Sequence, residues 1–206
     1  MKTRERIIHI SLDLFNRFGE PNVTTLQIAD ELDISPGNLY YHYKNKTEIL
    51  HELFARFEQQ MLELLDVPNV EISIEDQWLF LHLIFERIAE YRFLYKDLVN
   101  ILQRYERIRP RFKKILHKKT EASLTICSSL RDQEILIGSN EELEALCNNI
   151  VLTITYWPSF DLIRHPADAQ DIDLSHGVYQ VMSLVAPYLR DGERQALMAM
   201  SREYLT

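Results

Sequence analysis

The sequence predicts an all-α protein, on three observations. The chain of 206 residues has only five glycines and seven prolines, fewer than a β-sandwich or barrel of this length needs for its turns. Apolar residues recur at intervals of three and four along most of the chain, which is typical of amphipathic helices. No stretch alternates apolar and polar residues as a half-buried strand does. An apolar content of 46% is sufficient for a core.

The first 65 residues predict four helices. Apolar residues recur on one face at 3–18, and Gly19 ends this helix because glycine tolerates the backbone conformation common just after a helix end. Short helices follow at 24–32 and 35–44, each opened by a hydroxyl side chain that can cap it. A fourth, longer helix runs over about 47–65.

A break near Pro68 predicts a boundary between two units. Beyond it the periodicity predicts further helices at about 73–91, 93–107, 110–136, 141–163, 174–190 and 193–205. The chain should therefore contain about nine or ten helices. The helix at 141–163 is expected to kink at Pro158. The predicted domains are 1–47, with three short helices, and 48–206, a larger helical unit.

The formal net charge of −8 argues against a protein that coats nucleic acid without regard to sequence. It does not exclude sequence-specific DNA binding, because phosphate contacts are local. The stretch 34–47 carries Lys44 and Lys46 and no acidic residue. The distribution of charge is therefore compatible with DNA binding by the N-terminal unit.

Several classes of protein are not expected. Cys127 and Cys147 are far apart and lack a CxxC partner, so reduced, buried thiols in a cytoplasmic protein are expected rather than a zinc or disulfide framework. The N-terminus lacks the apolar core of a signal peptide, and no apolar run is as long as a membrane span. The acidic stretch 168–173 lacks the glycine and glutamate of a calcium loop, and no metal or cofactor is expected. The five glycines are far apart and no catalytic motif is readable, so an enzyme is not expected.

Residues 24–44 predict a helix-turn-helix, because two short helices are joined by a turn of three to four residues. Leu39 and Tyr43 are four residues apart and should face inward, where the small Ala29 lets the helices cross closely. The side chains left to face outward are Gly37, Asn38, Tyr40, Tyr41 and His42. Such groups can hydrogen-bond base edges, reach phosphates or pack on thymine methyl groups. Periodicity alone also allows an amphipathic surface helix, but three tyrosines and a histidine cannot all be core residues of so short a helix.

The stretch LFNRFGEPNVTTLQIADELDISPGNLYYHYKNKTEIL resembles the DNA-binding domain of the TetR superfamily along its full length. It departs from the family at Asp33, where the turn usually has glycine; aspartate tolerates a left-handed backbone better than most residues, so the fold should be kept. The resemblance implies that Thr24 or Thr25 and Lys46 contact DNA phosphates. It also implies that the outward residues of the third helix line the major groove of a near-palindromic operator.

In the larger unit, WLFLHLIFERIAEYRFLYKDLVNI and YQVMSLVAPYL resemble the PhaD-type regulators of polyhydroxyalkanoate metabolism. This resemblance implies a small hydrophobic effector such as a fatty-acid-derived acyl-CoA. The side chains that could line its site are Phe85, Tyr95, Tyr105, Arg109, Trp157 and Phe160. Each aromatic taken singly also suits a core position.

The run 104–119 carries eight Lys or Arg and one Glu. It is interpreted first as a solvated basic face, with a site for ligand phosphates or a secondary DNA contact as alternatives. The helices at 141–157 and 178–189 are apolar nearly all round and need a second cover. A homodimer supplies that cover, with burial inside one chain as the alternative.

Together these observations predict a DNA-binding regulator with an N-terminal helix-turn-helix and a C-terminal effector-binding and dimerisation domain. The resemblance implies a repressor of an operon for fatty-acid or polyhydroxyalkanoate metabolism, relieved by its effector. A regulator of another pathway, such as drug efflux, or an activator is the alternative.

Overall fold

The structure, a computed structural model, describes residues 2–66, 74–164 and 174–202. Within them lie eleven α-helices and no β-strand, so the predicted all-α class is confirmed. The predicted boundary at Pro68 and the acidic stretch 168–173 fall outside the described residues. The helices are α1 (Thr3–Phe18), α2 (Thr25–Glu31), α3 (Pro36–His42), α4 (Lys46–Leu64), α5 (Ile74–Glu90), α6 (Arg92–Lys96), α7 (Leu98–Arg104), α8 (Ile108–Asp132), α9 (Asn140–Arg164), α10 (Leu174–Val185) and α11 (Asp191–Arg202).

The helix-turn-helix is fixed by local capping. Thr24 caps α2 by accepting a hydrogen bond from the backbone N–H of Gln27, whose side chain accepts in return from the Thr24 N–H. Ser35 caps α3 in the same way, by accepting from the backbone N–H of Asn38. Between the two helices Asp33 has a φ of +53°, the left-handed conformation expected of it.

Several boundaries differ from the expected ones. The predicted helix at 93–107 is two helices, α6 and α7, because the backbone leaves the helical conformation at Asp97. Helix α8 begins at Ile108, two residues before the predicted start at residue 110, so Pro110 lies inside its first turn; this is allowed because a first-turn N–H has no helical partner to lose. The helix predicted to reach residue 190 ends at Val185, and a short 3-10 turn containing Pro187 follows.

Helix α4 connects the N-terminal helices to the rest of the protein, because it packs against α1, α5 and α8. It spans the predicted domain boundary at 47/48 as one continuous helix. Arg56 of α4 binds Glu5 of α1 through both terminal nitrogens of its guanidinium group, at 2.8 and 2.9 Å. Glu58 of α4 accepts a 2.9 Å hydrogen bond from Nε of Arg111 on α8. Helix α4 is thus bonded both to α1 of the N-terminal unit and to α8 of the larger unit.

The C-terminal half is built on α8, α9 and α10. Helix α9 packs against α8 and α10, and α10 also packs against α5. The predicted helix at 141–163 is α9, which continues through Pro158. Cys127 and Cys147 are buried and unbridged in this core, as expected. In the described residues, no helix combines the length and the apolarity that a membrane crossing requires.

Candidate functional site

Helix α3 presents one buried and one exposed face. Leu39 and Tyr43 are buried, which confirms the predicted inward pair. Tyr41 is 85% exposed and Tyr40 is 45% exposed. Gly37 and Asn38 are also exposed, and His42 is half-buried. The outward surface of α3 therefore carries the residues assigned to it from sequence.

The start of α2 lies beside α3 on the same surface. The hydroxyl groups of Thr25 and Tyr40 are hydrogen-bonded at 2.9 Å. Thr24, the preceding residue, is exposed. The ring of His42 stands edge-on to Tyr41, with centroids 5.1 Å apart. Residues from two helices thus form one polar, aromatic surface, in which the phenol of Tyr40 has a fixed partner.

Lys46 is occupied by contacts within the chain. Its Nζ donates to the backbone oxygens of Glu20, at 2.7 Å, and Val23, at 2.9 Å. It also lies 2.9 Å from a carboxylate oxygen of Glu20. A quarter of its side chain is exposed. A phosphate contact by Lys46 stays a prediction, and any phosphate would share this ammonium group with Glu20.

Glu20 is a functional candidate that the sequence did not reveal. Its side chain is 1% exposed, yet it is surrounded by donors from distant parts of the chain. Arg104 donates to one carboxylate oxygen and the hydroxyl of Tyr105 to the other, both at 2.7 Å. Burial and the adjacent carboxylate raise the pKa of Tyr105. Glu20 therefore joins the turn before α2 to the segment between α7 and α8.

A second buried link joins α1 to the turn between α5 and α6. The side-chain amide of Asn16 donates to the backbone oxygen of Glu90 at 2.8 Å and accepts from the backbone N–H of Phe93 at 3.1 Å. Phe15 packs edge-on against Phe93, with ring centroids 5.3 Å apart. Together with Glu20, these contacts fix the helix-turn-helix against the larger unit.

The larger unit contains a cavity of about 110 Å³. It lies between α5, α8, α9 and α10, and α11 contributes Leu197 to its wall. Most of the wall is apolar, with Trp78, Phe80 and Met182 among its members. Its polar members include Lys119 of α8, which is 2% exposed. Such a partly open, mostly apolar space is typical of a small-molecule site.

None of the side chains predicted to bind an effector lies in this wall, and their role stays a prediction. Phe85 and Trp157 pack closely against Gly177, where an added Cβ would be 2.5 Å from one ring and 2.7 Å from the other. Tyr95 lies next to the cavity, because its hydroxyl accepts a 3.2 Å hydrogen bond from Nζ of Lys119. Tyr105 bonds Glu20, as described above.

The other two members of that set lie on the surface. Arg109 is exposed, and Phe160 is 52% exposed on the outer face of α9. Phe160 belongs there to a stripe of exposed apolar residues spaced three or four apart, which also contains Leu152, Tyr156 and Ile163.

The basic run 104–119 is not one continuous surface. Arg104 pairs with Glu20 and Arg111 with Glu58. Lys118 pairs with Glu121, and Lys119 is buried. The cations that remain exposed in this run include Arg107, Arg109, Lys113 and Lys114. Among the described residues, no three His, Cys, Asp or Glu side chains come together as metal ligands would.

An exposed α3 beside a capped α2, fixed by buried contacts to a larger all-α unit with a cavity, defines a helix-turn-helix protein with a second, larger helical domain. Residues 7–53 match the family described as bacterial regulatory proteins of the tetR family, and residues 56–197 match its bacterial transcriptional repressor domain. The chain therefore belongs to the TetR family. The proteins of this family that it matches are described as transcriptional regulators.

Three similar proteins illustrate the match. A TetR-family transcriptional regulator from Marinobacter aquaeolei VT8 is 35% identical, with a TM-score of 0.88 over 99% of both chains. The complex of SmeT with triclosan has a TM-score of 0.61 at 18% identity, over 92% of this chain and 93% of SmeT, and shows the shared fold alone. The uncharacterized HTH-type transcriptional regulator TtgW of Pseudomonas putida is 36% identical over 77 residues. The matched stretch covers 37% of this chain and 55% of TtgW. This chain therefore spans about half the length of TtgW.

Proposed function

We propose that this protein is a repressor that binds a near-palindromic operator through α3 and is released by a small hydrophobic effector. The observation that carries the proposal is the exposed surface of α3. Tyr40 is hydrogen-bonded there to Thr25, and the side chains of Asn38 and Tyr41 face outward. Asparagine and tyrosine supply the hydrogen-bonding and apolar groups that read base edges in the major groove. Phosphate contacts from Thr24, Thr25 and Lys46 would set the position of α3 on the DNA.

The proposal includes a homodimer, since regulators of this family work as dimers. The apolar stripe on α9 is the surface that supports it: Leu152, Tyr156 and Phe160 are each about half exposed, and Ile163 is 84% exposed. Much of the second helix expected to pair, 178–189, is covered within the chain, because Val178, Val181 and Met182 are buried. We therefore place the dimer contact chiefly on α9. The two α3 helices of the dimer would then contact two half-sites separated by about 34–36 Å, or by a multiple of that distance.

The regulated operon is proposed to serve fatty-acid or polyhydroxyalkanoate metabolism. The support is the resemblance of 78–101 and 179–189 to the PhaD-type regulators, which also implies an acyl-CoA or related fatty-acid derivative as effector. An apolar cavity in the larger unit is compatible with the acyl part of such a molecule. Control of another pathway, such as drug efflux, and activation instead of repression are the alternatives.

Selection of bound duplexes from a random DNA pool tests the DNA-binding proposal without knowledge of the operator. The pool should converge on a sequence with two inverted half-sites. Asn38→Ala should abolish this convergence, whereas Gln195→Ala, an exposed change on α11, should not. Convergence on nothing, or an equal result with Asn38→Ala, would contradict the role of α3. Mapping the selected site on the genome then identifies the operon.

A further inference from the structure

Lys119 is an unusual residue for the wall of an apolar cavity. It lies on α8 with 2% of its surface exposed, among the most buried polar residues of the described chain. Its ammonium group donates one hydrogen bond, 3.2 Å long, to the hydroxyl of Tyr95, and lies 5.2 Å from the centre of that ring. An ammonium has three N–H donors, so two lack an acceptor among the described residues. No carboxylate of the described residues is within ion-pair distance of it.

An uncompensated buried cation is costly, because the charge loses its hydration without gaining a counter-charge. Burial accordingly lowers the pKa of Lys119 to about 7. A leucine or methionine would fill the same volume at lower cost, so packing alone does not explain a lysine here. An anion entering the cavity would supply the missing counter-charge and the missing acceptors.

The surroundings of Lys119 indicate what else that anion must carry. Ser123 lies one turn further along the same face of α8 and also contributes to the wall, so its hydroxyl can bond a second oxygen of the same group. The rest of the space is bounded by hydrocarbon and aromatic surface, including Trp78, Ile126 and Ile154. An anionic head with a short apolar chain matches this arrangement.

We propose that the cavity binds a medium-chain carboxylic acid, with its carboxylate on Lys119 and Ser123 and its chain among the apolar residues of α5, α8 and α9. This inference rests on the proposed sensory function and names its ligand class. The free acid is favoured over its CoA thioester because the thioester has no carboxylate for Lys119.

The test measures direct binding of n-octanoate, n-octanol and octanoyl-CoA to the full chain without DNA, by calorimetry and by tryptophan fluorescence, to which Trp78 in the wall contributes. Octanoate should bind the wild-type protein more tightly than octanol. Lys119→Met keeps the length of the side chain and removes the charge. It should weaken octanoate binding about tenfold or more, as removal of a buried charge-assisted hydrogen bond does, and leave octanol binding unchanged or tighter.

Lys118→Met is the matched control, because Lys118 is the adjacent residue, exposed and paired with Glu121. It should bind octanoate as the wild type does. Equal octanoate affinity in the wild type and Lys119→Met would overturn the proposal, and so would octanoyl-CoA binding that Lys119→Met does not alter. Circular dichroism checks that each variant is folded. Operator binding by the ligand-free protein is measured separately, so failure of octanoate to bind would overturn the ligand class while leaving the DNA-binding function intact.

Discussion

The hydroxyl of Tyr105 donates a 2.7 Å hydrogen bond to the buried carboxylate of Glu20, 85 residues earlier in the chain. Arg104 and Lys46 bind the same carboxylate from two other directions. Helix α8, which carries Lys119, begins at Ile108, three residues after Tyr105. The turn before the helix-turn-helix is thereby connected through one carboxylate to the segment that leads into α8, the helix that carries Lys119.

Tyr105→Phe should lower the free energy of unfolding by about 1.5–3 kcal/mol, because it removes a hydrogen bond to a buried charged group and leaves the ring in place. Urea denaturation measures the change. Tyr41→Phe removes the hydroxyl of an 85% exposed tyrosine and should have little effect. Equal stability of the two variants would show that the Glu20 contact contributes nothing to the fold.

Lys46→Ala should have two separable effects. Loss of one partner of the buried Glu20 carboxylate should cost about 1–3 kcal/mol of stability. If the ammonium also contacts a DNA phosphate, as the family resemblance implies, the slope of log affinity against log salt should fall by about one. Lys44→Ala, an exposed change two residues earlier, should leave the stability unchanged. A destabilised variant with an unchanged salt slope would mean that Lys46 serves only Glu20.

Tyr40→Ala should reduce discrimination between the selected operator and a scrambled duplex by about 1–3 kcal/mol, the usual value of one specific base contact. The physical reason is that Tyr40 is exposed on α3 and oriented by Thr25. Fluorescence anisotropy with both duplexes at one fixed salt concentration measures the ratio. A variant that loses affinity equally for both duplexes would place Tyr40 on the backbone instead.

The helix-turn-helix could be derived from sequence because its determinants are local. Capping at Thr24 and Ser35 and the inward pair Leu39 and Tyr43 depend on residues within four positions of each other. The interruption at Asp97, which divides the helix predicted at 93–107 into α6 and α7, could not be predicted because no glycine or proline marks it locally.

The cavity could not be derived in the same way. Its wall combines residues from Leu65 to Leu197, so it depends on packing between distant helices. The aromatics expected to line it partly pack on each other instead: Trp157 contacts Phe160 with ring centroids 5.5 Å apart. By sequence, Lys119 is one more member of the solvated basic run 104–119. Its burial depends on contacts with distant residues, such as Tyr95, 24 residues earlier in the chain.

Ile163→Glu should prevent dimer formation while leaving the monomer folded. Ile163 is 84% exposed in the single chain, so a charge there costs little unless a second copy covers it. Sedimentation equilibrium should show a dimer for the wild type and a monomer for the variant. Ile137→Glu is the matched control, because Ile137 is 66% exposed and lies between α8 and α9, off the stripe. A dimeric Ile163→Glu protein would move the interface away from this part of α9.

Lys119 should make the stability of the protein depend on pH in a defined direction. Burial lowers its pKa from 10.5 to about 7 in the folded state. Below about pH 7 the amine is protonated in both states, and the cost of burying its charge is fully present. Between about pH 7 and 10.5 the folded protein has released this proton while the unfolded chain retains it. The free energy of unfolding therefore rises with pH across that window, by at most about 1.4 kcal/mol per pH unit for one proton.

Comparison with Lys119→Met isolates this contribution, because the variant lacks the titrating group and shares every other one. Among the described residues, the other ionisable groups beside Lys119 or in the cavity wall are Tyr95, whose pKa burial raises, and Cys127, whose pKa is raised by its contact with Cys147 and by burial. Both proteins contain these groups. Urea denaturation at several pH values should show the wild type gaining stability relative to Lys119→Met as the pH rises. Lys118→Met should follow the wild type throughout. A difference that stays constant with pH would mean that Lys119 keeps its proton in the folded protein, and that a counter-charge already lies beside it.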